Sequence, residues 1–559
     1  MESPLLVWRT MRRLRPRQIV AQCFQRVRPL VERPSAFARR RVPPVPPWTP
    51  LDGLPLPPPS AGAWLPAELR AGRFTFLDDT RDVGWPPRWD DDAPPLLWRY
   101  NLHYFDWLWA LDYAGARQAV AHWLAHHPLS RRNVGWQPYP TSLRLMNWLV
   151  LFRGRFCRET ESDPEFLRAL WAGLYVQTEW LARHVETHIQ ANHLLENAVA
   201  LALMGSRCDT PAAGAWLQRG LALLARELPE QFLPDGLHYE RSPMYHQRML
   251  YLLLLLWTAG PAELRPLVAE RLTRGAAALR RLLHPDGDIA LLNDSAFGIY
   301  TPPADLLRAA AAACPAAADA GAADTGGWAL PDAGYYGWRG ADGSYLVMDA
   351  GAIGPDYQPG HAHGDMLSFE LALGGRRVIV DAGVHDYLRG NLRRYCRSTR
   401  AHNTVELDGQ DQCEFWADFC VARRGRPHDV AWSGDAEGCT LSAWHDGYGR
   451  LRGAPRHARR FAWAPGRGLE VRDRITSRAP HAAVSRVHLH PDCRVTALDA
   501  HGAAVSHPGG AFRVAFTGAG TLRQEPSHYC PRFGVDLENV CLAFESRGAN
   551  VEFGFDVLL

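Results

Sequence analysis

The densest run of side chains able to do chemistry is HAHGD at 361–365, followed by Asp381 and by His402 in RAHNT. His361 and His363 flank Ala362, so on extended backbone both side chains leave the same face. Histidine and aspartate are good zinc ligands, and three protein ligands leave a position for water or a fourth group. His363, Asp381 and His402 form such a set if a sheet brings a strand entry, a strand end and a loop together. The same residues also fit hydrogen-bonded histidines of an ordinary core or surface, and spacing does not separate the two readings.

Two further clusters carry groups that move protons or stabilise charge. Asn192 and His193 open a helical pattern in HIQANHLLEN, and YERSPMYH at 239–246 places Tyr245 and His246 just after Pro243. A proline there suits the first turn of a helix. An amide stabilises developing negative charge, and a phenol or imidazole transfers a proton when burial tunes its affinity. Taken singly, Asn192 also reads as a helix cap and Tyr245 as a half-buried aromatic. The stretch NDSAFG at 293–298 reads as a loop facing the following domain, with no catalytic role.

The elements that must position these groups change character along the chain. Apolar residues recur at three- and four-residue spacing in 105–126, 139–156, 163–185, 192–204, 213–228 and 244–283, which predicts helical hairpins. The periodicity leaves bundle, solenoid and toroid open. Residues 309–327 (AAAAACPAAADAGAADTGG) read as a loop or hinge. Beyond them alternating, β-branched runs at 345–349, 367–373, 377–381, 404–407, 459–463, 469–474 and 551–555 predict an antiparallel sheet domain, a sandwich by size.

The 559 residues exceed one core and predict two domains. The formal charge of +3 is close to balance and points to no nucleic acid or other particular partner. Every basic residue is an arginine, a planar fork suited to carboxylate or sulfate. The 11 cysteines are scattered without a CxxC pair, which favours a reducing compartment or free buried thiols. Arginines occupy the first twenty residues where the apolar core of an export signal would lie, so the expected setting is cytoplasmic, with the periplasm or the inner-membrane surface as the alternative. Residues 1–42 hold 11 arginines against two glutamates among apolar residues, an arm able to touch an anionic membrane; a solvated or packed arm is the other reading. Residues 43–60 form a proline-rich connector.

In the order ANHLLEN, DGLHYERSPMYH, GHAHGDMLSFEL, VIVDAG and RAHNTVELDG, the chain resembles the heparinase II/III family of polysaccharide lyases over roughly residues 95–420. The resemblance implies an α+β multidomain fold, an incomplete (α/α) toroid followed by an antiparallel β-sandwich with the glycan between them. The corresponding layout is an arm at 1–60, a toroid at 61–310, a linker at 311–330 and a sandwich at 331–559.

By the same resemblance Asn192 neutralises a uronate carboxylate, His193 assists or acts as base, Tyr245 is base, acid or both, and His361 reaches in from the sheet domain. His363, Asp381 and His402 then hold a structural zinc ion. Arg144, Arg241 and His246 are candidates for binding substrate acid groups, with core packing as the alternative for the arginines. The expected activity is β-elimination on a uronate-containing acidic polysaccharide, tied to bacterial exopolysaccharide or capsule metabolism. A uronate C5-epimerase would use the same first half-reaction, and a non-catalytic glycan-binding protein of polysaccharide assembly is the third reading.

Overall fold

Residues 4–32, 37, 41–47, 50–51, 56–319 and 325–559 are described in a computed structural model of the protein. Helices dominate as far as residue 319 and strands from Gly326 to Leu558. Two helices, Ala191–Arg207 and Pro243–Ala259, are buried along almost their whole length. A helix apolar on every side must be enclosed by others, and these two form the centre of the helical region. Ala191–Arg207 lies directly against Ala213–Gln231: a Cβ at Gly220 would stand 2.6 Å from the Ala202 nitrogen, and one at Gly205 2.4 Å from that of Leu217. Only glycine permits that approach of two backbones.

Two expected helices are broken. The 105–126 pattern begins at Phe105, whose φ of 64° ends the helix Leu96–Tyr104. It runs as a short 3-10 helix over Asp106–Ala110 and becomes α-helical only at Tyr113–His126, where the Asp112 side chain accepts a hydrogen bond from the Gly115 amide. The 244–283 pattern divides at Gly260 and Pro261 into Pro243–Ala259 and Arg265–Arg281. The alanine-rich stretch expected as a loop is helical over Pro303–Ala313 and Ala316–Asp319, because alanine has the highest helix propensity; residues 320–324 lie outside the described ones.

The strand region contains a five-stranded antiparallel meander, running from Gly326–Leu330 to Arg376–Ile379, and a ten-stranded antiparallel sheet whose centre is the long pair Gly468–His488 and Leu537–Leu558. One face of the meander (Trp338, Leu346, Met348, Phe369) packs on Phe461, Val471 and Phe555 of the large sheet. Its other face (Trp328, Tyr335, Tyr345, Val347) packs on Leu237, Ala278, Leu282 and Leu292 of the helical region. Side chains alternate across a strand, so covering both faces explains why Tyr345–Asp349 is buried at every position.

The proline-rich segment is a strap. Pro43, Pro57 and Pro58 offer carbonyls to Trp171, Tyr251 and Thr301, and the Leu51 amide bonds the Arg153 carbonyl. Before it, helices Pro4–Met11 and Pro16–Val31 lie against both regions: Arg9 pairs with Glu414, and Arg15 pairs with Glu230. Among the described residues no helix is long and apolar enough to cross a membrane.

Candidate active site

Asn192, Tyr245 and His361 come together where the two regions meet. Asn192 is the second residue of its helix, and the two residues before it, Gln190 and Ala191, have φ of 69° and 52°. Positive φ in residues with a Cβ is strained and persists only where surrounding bonds enforce it. Here the Gln231 amide holds the Ala191 carbonyl at 3.0 Å, and Glu240 accepts both the Asn192 backbone N–H, at 3.1 Å, and its Nδ2, at 3.2 Å. The Asn192 Oδ1 is buried and has no hydrogen-bond partner within the protein.

Tyr245 enters from the first turn of Pro243–Ala259, where Ser242 caps the helix by accepting its amide at 3.2 Å. Its ring lies 4.0 Å, centroid to centroid, from that of His361, and its hydroxyl is 3.1 Å from the Tyr387 hydroxyl. Burial pushes the Tyr245 phenol well above its ordinary pKa, and the neighbouring Tyr387 adds to the rise. The phenol is therefore protonated at neutral pH.

His361 is held by a carboxylate from the NDSAFG loop. Asp294 Oδ2 lies 2.9 Å from His361 Nδ1, and Asp294 Oδ1 lies 2.9 Å from His363 Nε2. Arg393 closes the other side of the same carboxylate with both terminal nitrogens. Burial opposes charge on Asp294, but Arg393 and the two histidines outweigh it and hold the carboxyl well below the usual range. His361 Nε2 faces Glu240 Oε2 at 3.6 Å, so one glutamate connects Asn192 to His361.

His193 lies beside this group, its ring 4.2 Å from that of Tyr139 and its Nδ1 3.0 Å from Glu186 Oε1. Burial disfavours charge on the imidazole, yet the Glu186 carboxylate wins and raises its pKa. Glu186 is fixed in turn by Asn197, whose Oδ1 accepts the Glu186 amide at 2.8 Å while its Nδ2 donates to Glu186 Oε2.

Behind His361, a ligand atom from each of His363, Asp381 and His402 falls within 4.8 Å of the others, all buried. Asp381 Oδ2 is 2.7 Å from His402 Nδ1. His363 Nδ1 and His402 Nε2 are buried without any hydrogen-bond partner, although buried polar nitrogens are ordinarily satisfied. Two orphaned imidazole nitrogens beside a carboxylate fit a divalent cation such as zinc, and the Asp294 bond to the far nitrogen of His363 is the outer support such ligands usually have.

Two stretches of the chain match two parts of one family description: residues 108–297 match heparinase II/III N-terminus, and residues 322–550 match heparinase II/III-like, C-terminal. The chain belongs to the heparinase II/III-like family. A curated relative, heparin-sulfate lyase of Pedobacter heparinus, is 26% identical over 376 residues; the match covers 60% of this chain and 56% of the relative's length. Heparan sulfate lyase HepC from the same organism, in a mutant crystal structure, superposes with TM-score 0.64 at 21% identity over 88% of this chain and 82% of that one. A crystal structure of heparinase III gives TM-score 0.68 at 16% identity, over 94% and 88% of the two chains. Their likeness extends to a helical region followed by a β region.

The three candidate substrate-binding residues are engaged by contacts within the protein. Arg144 is fully buried, with its nitrogens bound to Gln177, the His103 carbonyl and Thr141 and its guanidinium 4.3 Å from the Trp123 ring. Arg241 bonds the Ala333, Asp332 and Tyr239 carbonyls and so clamps a β-turn onto the helical region. His246 is buried with both ring nitrogens occupied, by the His238 amide and the Gly275 carbonyl.

Asp294, Glu240, Glu186 and Tyr387 are the site residues the motifs did not single out. A backbone signal marks two of them: Arg241, next to Glu240, and Asn293, next to Asp294, have φ of 58° and 56°. Asn293 earns its strained geometry by accepting the His363 amide at 3.1 Å while its own amide bonds Asp365.

Proposed function

We propose that the protein is a polysaccharide lyase that cleaves a uronate-containing acidic polysaccharide by β-elimination. The observation that carries this reading is the meeting of Asn192, Tyr245 and His361, with rings 4.0 Å apart and Glu240 bridging the amide to the imidazole. The name of the curated relative, a heparin-sulfate lyase, supports the same class of chemistry. The helical region would form an incomplete toroid over about 61–310, joined through 311–330 to a sandwich at 331–559, with the glycan in the cleft between them. Arm 1–60 would lie outside the cleft. A setting in bacterial exopolysaccharide or capsule metabolism is part of this proposal.

Elimination begins with loss of the proton at C5 of the uronate, which turns the carboxylate into an enolate-like dianion. Asn192, with the His193 imidazolium beside it, stabilises that charge as it develops. His361 takes the proton: its Nδ1 is occupied by Asp294, which leaves Nε2 for the task. The electron pair left at C5 forms the C4–C5 double bond as the C4–O bond breaks. Tyr245, a protonated phenol, gives its proton to the departing oxygen. A zinc ion on His363, Asp381 and His402 would brace the segment that carries His361 and takes no part in these transfers.

The test is incubation with heparan sulfate and other uronate polysaccharides while ultraviolet absorbance of the unsaturated product is followed. Tyr245→Phe should lose the activity by about 100-fold or more. No absorbance on any uronate polymer would overturn the lyase assignment, and deuterium uptake from solvent at C5 without chain cleavage would replace it with epimerisation.

A further inference from the structure

We propose that the two N-terminal helices form a docking face for an anionic lipid surface. Their orientation is inverted relative to an ordinary surface helix, which buries its apolar stripe and exposes its polar one. In Pro16–Val31 the body-facing side carries Gln18, fully buried with its Nε2 3.4 Å from the Tyr357 carbonyl, and Arg28, paired with Glu32. The opposite side carries Val20, Phe24 and Val27, which are 70%, 57% and 54% exposed. In Pro4–Met11 the inner side carries Arg9, held by Glu414, and Thr10, which accepts from Trp416, beside the half-buried Leu6 and Val7. Its outer side carries Leu5, Trp8 and Met11, at 50%, 58% and 45% exposure.

Six of the fifteen large apolar side chains exposed among the described residues thus fall between positions 5 and 27. Polar anchors fasten the arm to both regions of the protein and turn the apolar side outward, so burial in this chain does not account for those six residues. Charge selects the occupant. Residues 1–42 contain 11 arginines and two glutamates, and Glu32 is already engaged by Arg28, Arg131 and His184. Arg12 and Arg26 border the apolar faces with no carboxylate partner among the described residues. Arg12 lies over the Trp8 ring at 5.2 Å, an aromatic and a cation placed as they are at a headgroup boundary. Basic helices of this kind lie in the interfacial plane, held by apolar insertion and by attraction to acidic headgroups. Arg15 and Arg17 on the inner side also touch Gln190, two residues before Asn192, so the arm is fastened to the segment that carries the proposed site.

Vesicle flotation of the full chain tests this, with phosphatidylcholine vesicles compared against the same vesicles doped with phosphatidylglycerol. The protein should float with the anionic vesicles and about tenfold less with neutral ones, and the anionic advantage should shrink as salt is raised. The double variant Trp8→Glu/Phe24→Glu should lose vesicle binding about tenfold while keeping its melting temperature and any activity on soluble glycan, since both positions are more than half exposed. Equal flotation of this variant and the native chain, or none by either, overturns the proposal. So does a lipid-free dimer of the native chain that Phe24→Glu dissociates, because a second copy would then be the occupant.

Discussion

Asp294 and His361 are 67 positions apart and meet at 2.9 Å, the carboxylate from the loop between helices Arg265–Arg281 and Pro303–Ala313 and the imidazole from the β region. The backbone repeats the contact, for the Asp294 amide bonds the His361 carbonyl at 3.0 Å. Because the other Asp294 oxygen supports His363 and Arg393 grips both, the carboxylate is one support shared by the proposed proton acceptor and the candidate metal ligands. Asp294→Ala would leave the Arg393 guanidinium in a buried site without its counter-charge. The expected loss of stability is about 3–5 kcal/mol by chemical denaturation. A loss below about 1 kcal/mol would show that water and the Asp418 backbone carbonyl, which already accepts from Arg393, suffice to hold the arginine. Asp294→Asn, which keeps the shape, should fold better than the alanine variant yet lose activity with kcat falling more than KM changes, because His361 would be misoriented rather than removed.

The Glu186–His193 pair gives a pH signature with a definite sign. The carboxylate raises the His193 pKa, so the charged imidazolium prevails below that raised value and is lost as pH climbs through it. If the imidazolium helps neutralise the uronate, activity falls on the alkaline side. Glu186→Gln removes the charge that raises the pKa and should move the alkaline limb of kcat/KM to lower pH, with the acid limb unchanged. An alkaline limb that stays in place would remove His193 from charge neutralisation.

The order of helices and strands was legible in the sequence because periods of 3.6 and 2 are local properties, set by which face each element buries. What the periodicity could not mark were short interruptions, such as the one between Asp106–Ala110 and Tyr113–His126, where the apolar spacing continues through a change of direction. At the site the same division holds. Asn192, Tyr245 and His361 stood out because their motifs resemble a family, whereas Asp294 and Glu240 matter through partners 48 to 121 positions away. No local pattern encodes such a pairing. Arg144 misled for the complementary reason: a guanidinium looks like a ligand for acids until its neighbours are known, and here they are an amide, a carbonyl, a hydroxyl and an indole.

That surrounding makes Arg144 a residue of stability. Burial lowers its pKa well below the ordinary arginine value, so the protein holds the group by hydrogen bonds and by the Trp123 face. Arg144→Ala would open a cavity and strand Gln177 and the His103 carbonyl, with an expected cost of about 3 kcal/mol. The folded fraction should keep its KM within about twofold, measured on glycan at a temperature well below the variant's melting point. A large rise in KM with unchanged stability would return Arg144 to the substrate.

The His363, Asp381 and His402 cluster makes the last prediction, which needs no activity measurement. Two buried imidazole nitrogens without partners are costly in the absence of an ion, each about 1–3 kcal/mol. An ion that binds the folded chain alone stabilises it by mass action, by about 4 kcal/mol when its concentration is a thousand times the dissociation constant. Elemental analysis of purified protein should therefore find about one zinc per chain. A strong chelator should lower the melting temperature by several degrees, and added zinc should restore it. Asp381→Ala should lose both the metal and the chelator response, whereas His193→Ala, outside the cluster, should retain them. Metal-free protein whose melting temperature ignores added zinc would leave the three residues as a hydrogen-bonded core cluster, and the His361 segment would then be braced by Asp294 and Arg393 alone.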